Sequence, residues 1–318
     1  MNQPDFQPIK VVALAGGVGG ARLADGLAKV LPPEDLTIIV NTGDDFEHFG
    51  LFICPDIDTV CYTLAGLVNP VTGWGRRDET WTVLEAVSLL GGPTWFHLGD
   101  QDLGLHLERT RRRLSGQPLS RIVQHFCQVL GIRPRILPMT DDFTPTWVYT
   151  IQGEMPFQEY FVRRQCQPVV TGFCFQGADQ ASPAPGVLEA IHQADLVVFC
   201  PSNPWVSLDP ILSIPGIRSA VASRPVVAVS PIIGGQTVKG PAGKMFTELG
   251  IPPSAAAVAH HYTGLLSGFV IDQMDSELVS EIQPLGVQTF VTDVIMKTPL
   301  DRARLSKEVI DFGIQIIH

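Results

Sequence analysis

The stretch Val11–Asp58 does most to limit what this chain can fold into. An apolar run, Val11–Ala15, ends in a glycine cluster of Gly16, Gly17, Gly19 and Gly20. A helical pattern follows, with Leu23, Leu27, Val30 and Leu31 at helical spacing, and then a second apolar run, Leu36–Val40. That run opens into a loop segment holding Asp44, Asp45, Asp56 and Asp58. Strand, glycine turn, helix, strand is a nucleotide-binding half-unit, because glycines let backbone N–H groups approach a phosphate at a helix N-terminus. Crowded carboxylates repel unless protonated or bridged by a cation, so the aspartates suit a divalent ion held against that phosphate.

The pattern continues downstream. Leu196–Cys200 (LVVFC), Val226–Ser230 (VVAVS), Phe269–Ile271 and Val287–Val291 read as strands, alternating with helical runs at Leu188–Ala194, Ile217–Ala222 and Arg302–Ile314. Such runs are apolar throughout, as in parallel sheets covered on both faces. Hydrophobic residues at 45%, charged residues at 17% and a mean hydropathy of +0.19 agree with that interior. The expected fold is a single α/β domain, residues 1–318, built as a three-layer α/β/α sandwich around a mainly parallel, Rossmann-like sheet. Further sheet signals stand at Arg135–Leu137, Trp147–Ile151 and Val169–Phe175. Residues from about 59 to 134 read as a mostly helical insertion over the nucleotide half-unit, with helices expected at Thr59–Leu67, Thr80–Leu90, His106–Leu114 and Leu119–Leu130. Asp58 or Thr59 is the expected N-cap of the first.

Composition narrows the partners. With 22 Lys and Arg against 32 Asp and Glu the net charge is −10, the opposite of the basic footprint that nucleic-acid backbones require. Six cysteines lie far apart with no CxxC and read as reduced thiols of a cytosolic protein. No secretory leader pattern and no run of membrane-spanning length is seen, so a cytoplasmic protein without membrane partners is expected.

Three further loops fall where open α/β sheets bind ligands, at the carboxyl ends of strands. His97–Asp102 follows a short apolar Thr94–Phe96 segment, Pro201–Pro204 follows LVVFC, and Ser230–Gly235 follows VVAVS and leads into Val238–Pro241. A dinucleotide fold fits less well. GxGxxG would need glycine where Arg22 stands, Walker A is absent, and Val40, not an acid, ends the second strand. Arg109, Arg111, Arg112 and Arg113 read as a solvated helix face, and the adjacent His260 and His261 point too far apart on a helix to form a metal pair.

Read together, AGGVGGARLADGL, VNTGDD, CPDIDTVCYTLAG, WGRRDET, HLGDQDLGLH, ILPMTDD, FQEYFVRR, PSNPWVSLDPIL and VVAVSPIIGGQTVKGPAGK run in order over about Val11–Asp272. This collinear set resembles the 2-phospho-L-lactate transferase (CofD) family of deazaflavin coenzyme biosynthesis. The resemblance implies a magnesium-dependent, usually homodimeric enzyme. It implies transfer of a 2-phospholactyl or phosphoenolpyruvyl group from a guanosine diphosphate-linked donor to the ribityl hydroxyl of a deazaflavin acceptor (Fo), with GMP released. Carried over motif by motif, Gly16, Gly17, Gly19 and Gly20 would shape the substrate cleft, with Thr42 beside them. Asp44, Asp45 and Asp56 would surround the metal, Asp58 and His97 would contact Fo, and Ser202, Asn203, Gly234 and Gly235 would bind the donor. His97 stands where the family usually carries Lys or Arg. Asp44 or Asp58 would accept the hydroxyl proton. The alternative is a sister family of nucleotide-sugar-binding regulators, which begins with a similar glycine turn.

Overall fold

The computed structural model describes residues 9–318. Seven strands make the central sheet: β1 (Val11–Ala15), β2 (Leu36–Val40), β3 (Arg135–Pro138), β4 (Leu196–Phe199), β5 (Val226–Val229), β6 (Gly268–Asp272) and β7 (Gln288–Thr292). Their spatial order is β3-β2-β1-β4-β5-β6-β7, with every pairing parallel. The order reverses between β1 and β4, which is the switch point at which doubly wound sheets open a crevice.

β1 shows why the strands are apolar throughout. Val11, Ala13 and Ala15 join one core with helix α1 (Gly17–Val30) and the C-terminal helix Pro299–Ile317. Val12 and Leu14 face the other core, beneath the helices Val187–Gln193, Ile217–Ala222 and Ala255–His261. Both faces are covered, giving the expected three layers. No described helix is long and apolar enough to cross a membrane.

Several boundaries differ from those read in the sequence, for identifiable reasons. Helix α2 spans Pro55–Leu64, so CPDID is its first turn and neither Asp58 nor Thr59 caps it; Cys54 holds that position. Proline at the first helical position brings a preset φ, and the helix dipole favours aspartates in the first turn. Trp147–Ile151 and Val169–Phe175 lie outside the parallel sheet. They fall in a separate antiparallel sheet of Thr146–Thr150, Gly153–Pro156 and Val170–Phe175. Between α2 and β3 come α3 (Thr82–Leu89), α4 (Asp100–Leu114) and α5 (Leu119–Val129). Thr94–Phe96 is not a strand, and the HLGD loop instead feeds the N-terminus of α4. The loop after β2 folds into a small hairpin, Phe46–His48 against Leu51–Ile53. All six cysteines are free; Cys54, Cys61, Cys127 and Cys200 are buried, and Cys166 and Cys174 only partly so.

Candidate active site

A cavity of about 830 Å³ opens at the switch point. It is lined by Gly16, Gly17 and Gly19 after β1, Pro201–Asn203 after β4, Ser230 and Pro231 after β5, and Val294–Lys297 after β7. The glycines matter through contact. A Cβ on Gly16 would lie 2.7 Å from Asp56 Oδ2, and one on Gly19 would overlap the Pro201 carbonyl. Gly19→Ala is therefore expected to push apart the two loops that meet at the switch point. The expected cost is about 1–3 kcal/mol of folding free energy, measurable by denaturant unfolding. Unchanged unfolding would show that the loops yield freely.

Asn41 organises the acidic wall. Fully buried at the end of β2, its Nδ2 donates to Asp44 Oδ1 (3.0 Å), Asp56 Oδ2 (2.9 Å) and the Val206 carbonyl (3.0 Å). Gly17 N donates to the other oxygen of Asp56 at 2.8 Å. Burial pushes Asp44 well above the usual carboxylate range, and the charge of Asp56 adds to the effect. Burial also raises Asp56, to about 6, against the hydrogen bonds from Asn41 and Gly17. Both side chains line the cavity, and neither has a Lys, Arg or His in ion-pair reach among the described residues. Two close all-oxygen donors without a cation match what magnesium accepts from protein, one or two carboxylates beside phosphate oxygens and water. Asp45 is buried and also raised by desolvation, but it bonds Cys54 and is absent from the cavity lining. Its Oδ1 has no partner.

Asp58 belongs to a second cluster. The solvated arginine face expected on α4 is contradicted at Arg109, which is fully buried and ion-paired with Asp58 Oδ1. Arg109 also donates to the Phe52 carbonyl (3.3 Å) and to His106 Nδ1 (3.1 Å), which leaves the imidazole proton on Nε2. That nitrogen lies 3.4 Å from Asp102 Oδ1, and Tyr62 donates its hydroxyl to the same oxygen at 2.6 Å. Burial raises Asp58, opposed by the charge and hydrogen bond of the Arg109 guanidinium. Burial works the same way on Asp102, yet the hydrogen bonds of His106 and Tyr62, with the charge of Arg109, hold its carboxyl below its ordinary value. Among the described residues, Asp58, Asp102 and His106 are the one group of three whose ligand atoms lie within 4.8 Å. A guanidinium already occupies one oxygen of Asp58 and bonds the imidazole, so this cluster suits a hydroxyl-bearing ligand better than a hard cation. Asp58 Oδ2 remains buried without a partner. Of the other arginines only Arg111 is exposed, paired with Glu108; Arg112 is part-buried between Glu108 and His125, and Arg113 lies over the Phe52 ring.

Some motif residues serve architecture. Ser202 Oγ accepts from Gly16 N (3.3 Å) and donates to Gly16 O (2.8 Å), stapling the glycine turn while lining the cavity. Asn203 lines it as well, with Oδ1 bound by Trp205 N. Gly20 lies under the turn against Ser202, and Thr42 is buried; neither is in the lining. Gly234 and Gly235, both at positive φ, turn a two-residue hairpin outside the lining, and Gly234 N bonds the Asp275 carboxylate. Glu79 of WGRRDET accepts from the N-terminal amides of Gln101 and Asp102, capping α4. His97 does line the cavity, its ring edge-on to Trp81, near Trp74, Trp95 and Phe96.

Sequence reasoning gave no site role to Asn41, Tyr62, His106 or Arg109, and reached Asp102 only as the end of the His97–Asp102 loop. The signal was present: positions 102, 106 and 109 repeat at i, i+4, i+7, and 58 and 62 at i, i+4, and each set marks one polar helix face.

The description of 2-phospho-L-lactate transferase CofD matches residues 11–304, a span containing every cavity-lining residue. The chain belongs to that family. As a CofD-family member it is a transferase, and it resembles several named relatives over nearly its whole length. A phosphoenolpyruvate transferase of Streptomyces coelicolor is 44% identical, the match covering 97% of this chain and 99% of the relative. The enzyme so named in Thermobifida fusca is also 44% identical with the same coverage, and one from Mycobacterium sp. (strain KMS) is 38% identical over 93% and 97%. A crystal structure of a Bacillus halodurans protein superposes with a TM-score of 0.66 at 18% identity, covering 96% of this chain and 100% of that one. At that identity the likeness speaks to the CofD fold alone.

Proposed function

We propose that the protein transfers a phosphoenolpyruvyl group from a guanosine diphosphate-linked donor to the terminal ribityl hydroxyl of Fo, releasing GMP. The observation that carries this reading is the division of the cavity. Asp44, Asp56, Asp58 and Asp102 form one wall, while Arg22, Lys239 and Lys297 are its only lining lysines and arginines. A donor with a diphosphate and a free acid needs both: carboxylates that can share a cation with its phosphates, and separate basic side chains for its acid. The names of the relatives favour phosphoenolpyruvyl over 2-phospholactyl.

Phosphoryl-type transfer asks a protein for positioning and charge neutralisation more than for covalent work. Asp44 and Asp56 are the residues that would hold magnesium, which when bound neutralises diphosphate charge and stabilises the leaving phosphate. Asn41 fixes both carboxylates. The glycine turn brings the backbone against the donor phosphates, and Ser202 and Asn203 abut the nucleotide. Trp95, Phe96 and His97 face the planar acceptor. Asp58 Oδ2 takes the proton from the ribityl hydroxyl as its oxygen bonds the phosphorus bearing the acid, and the bond to the GMP phosphate breaks. Arg109, on the other oxygen, keeps Asp58 oriented.

Equilibrium binding tests the reading against the regulator alternative. GDP with magnesium and Fo should each raise the melting temperature, while a UDP-sugar should not. A strong UDP-sugar shift with Fo inert would contradict it.

The acidic wall also has a pH signature. Asp56 moves from an ordinary value of 3.8 to about 6 on folding, so between those pH values the native state binds more protons than the unfolded state. Stability then falls as pH rises across that window. Magnesium relieves the repulsion only once the carboxylates are ionised. Its stabilisation, read as the melting shift at fixed concentration, should be larger at pH 8 than at pH 5. Equal shifts would show that these carboxylates are not its ligands.

A further inference from the structure

Arg22, Lys239 and Lys297 line one side of the cavity, and none has an acidic partner among the described residues. Arg22, half-buried on the second turn of α1, donates through Nη1 to the Met296 carbonyl at 3.1 Å. Lys239 donates to the Thr72 carbonyl at 2.7 Å. Both contacts aim the cation without cancelling its charge. In a chain of net charge −10, a basic cluster without acidic partners at the rim of this open cavity, anchored by part-buried Arg22, is placed to receive an anion. Burial and the neighbouring charge of Arg302 lower Arg22, and burial with the charge of Arg22 lowers Lys239.

On the proposed reading the donor's phosphates lie against the glycine turn and, through a cation, beside Asp44 and Asp56. The acid being transferred carries a further negative group, its carboxylate, and a guanidinium binds carboxylates through paired N–H donors. We propose that Arg22, Lys239 and Lys297 form a carboxylate subsite that selects donors bearing a free acid on the transferred phosphate. This rests on the transferase reading. It draws three chain segments, α1, the loop after β5 and the loop after β7, into donor choice.

The test is titration calorimetry with magnesium, using GDP, guanosine diphosphate-linked phosphoenolpyruvate and the carboxyl methyl ester of that donor. The native protein should bind the acid at least about tenfold more tightly than its ester, the size expected of a charge-assisted bond. Arg22→Met and the double variant Lys239→Met/Lys297→Met should lose that preference while keeping GDP affinity within about threefold. Arg22→Lys should retain part of it. The lysine variants alter exposed side chains, so they remain informative if Arg22→Met fails to fold. Equal losses for GDP and donor would overturn the assignment in favour of a diphosphate role, and an undiminished preference for the acid would overturn it outright. Native protein that binds neither nucleotide would instead refute the transferase reading, and this subsite with it.

Discussion

Asp56→Asn is expected to abolish transfer while leaving the fold at least as stable as before. Asp56 and Asp44 share one amide donor, Asn41, and stand buried in the cavity wall without a cation. Removing a charged group that acts on a developing phosphate charge lowers turnover on the order of 10³-fold. Stability should move the other way. With a carboxyl raised by burial to about 6, ionised Asp56 opposes folding at pH 7.5, and a neutral amide of the same shape removes that opposition. One contact is lost in exchange, since an amide cannot accept from both Gly17 N and Asn41 Nδ2. The two effects roughly offset, so the melting temperature should hold or rise as turnover collapses. Asp44→Asn should behave alike. A variant that keeps turnover, or loses it only by unfolding, would remove this pair from the chemistry.

Arg109→Met has the largest expected effect on stability. Arg109 is fully buried against Asp58, His106 and the Phe52 carbonyl. Deleting one partner of a buried ion pair leaves the other charge desolvated and alone, at a cost of about 3–5 kcal/mol. Asp58→Asn/Arg109→Met should recover much of that loss in stability without recovering turnover. Urea unfolding of the native protein, both single variants and the double variant closes the cycle. Additive losses would mean that the pair is not coupled.

The sequence made the frame legible because its strands carry a physical signature. A strand buried on both faces has no polar alternation, so β1, β2, β4 and β5 stand out as apolar runs, and the glycine turn marks where the first helix begins. Trp147–Ile151 was legible as a strand, but which sheet it joins was not, because an antiparallel strand over the core can be as apolar as a parallel one. CPDID was read as a loop because aspartate is both a turn former and a favourable first-turn residue, and only tertiary contact with Asn41 and Gly17 decides between them.

The site was legible by residue type and not by partnership. Asp44, Asp56 and Asp58 were singled out together, yet the fold separates them, Asp44 and Asp56 on Asn41 and Asp58 on Arg109. Residue type does not distinguish Arg109 from Arg111, Arg112 and Arg113; its helical position does, since 109 falls on the face shared with Asp102 and His106. Glu79 illustrates the converse, a motif acid that caps a helix. Gly234 and Gly235 do the same, shaping a hairpin outside the cavity lining.

The measurement that bears most directly on the central claim is turnover by the purified full chain with Fo and guanosine diphosphate-linked phosphoenolpyruvate, with and without magnesium. The account predicts GMP and the phosphoenolpyruvyl-bearing deazaflavin in equal amounts, only with magnesium and only when Fo is present. GMP release without Fo, or no product from either the phosphoenolpyruvyl or the 2-phospholactyl donor by protein that binds GDP, would contradict it.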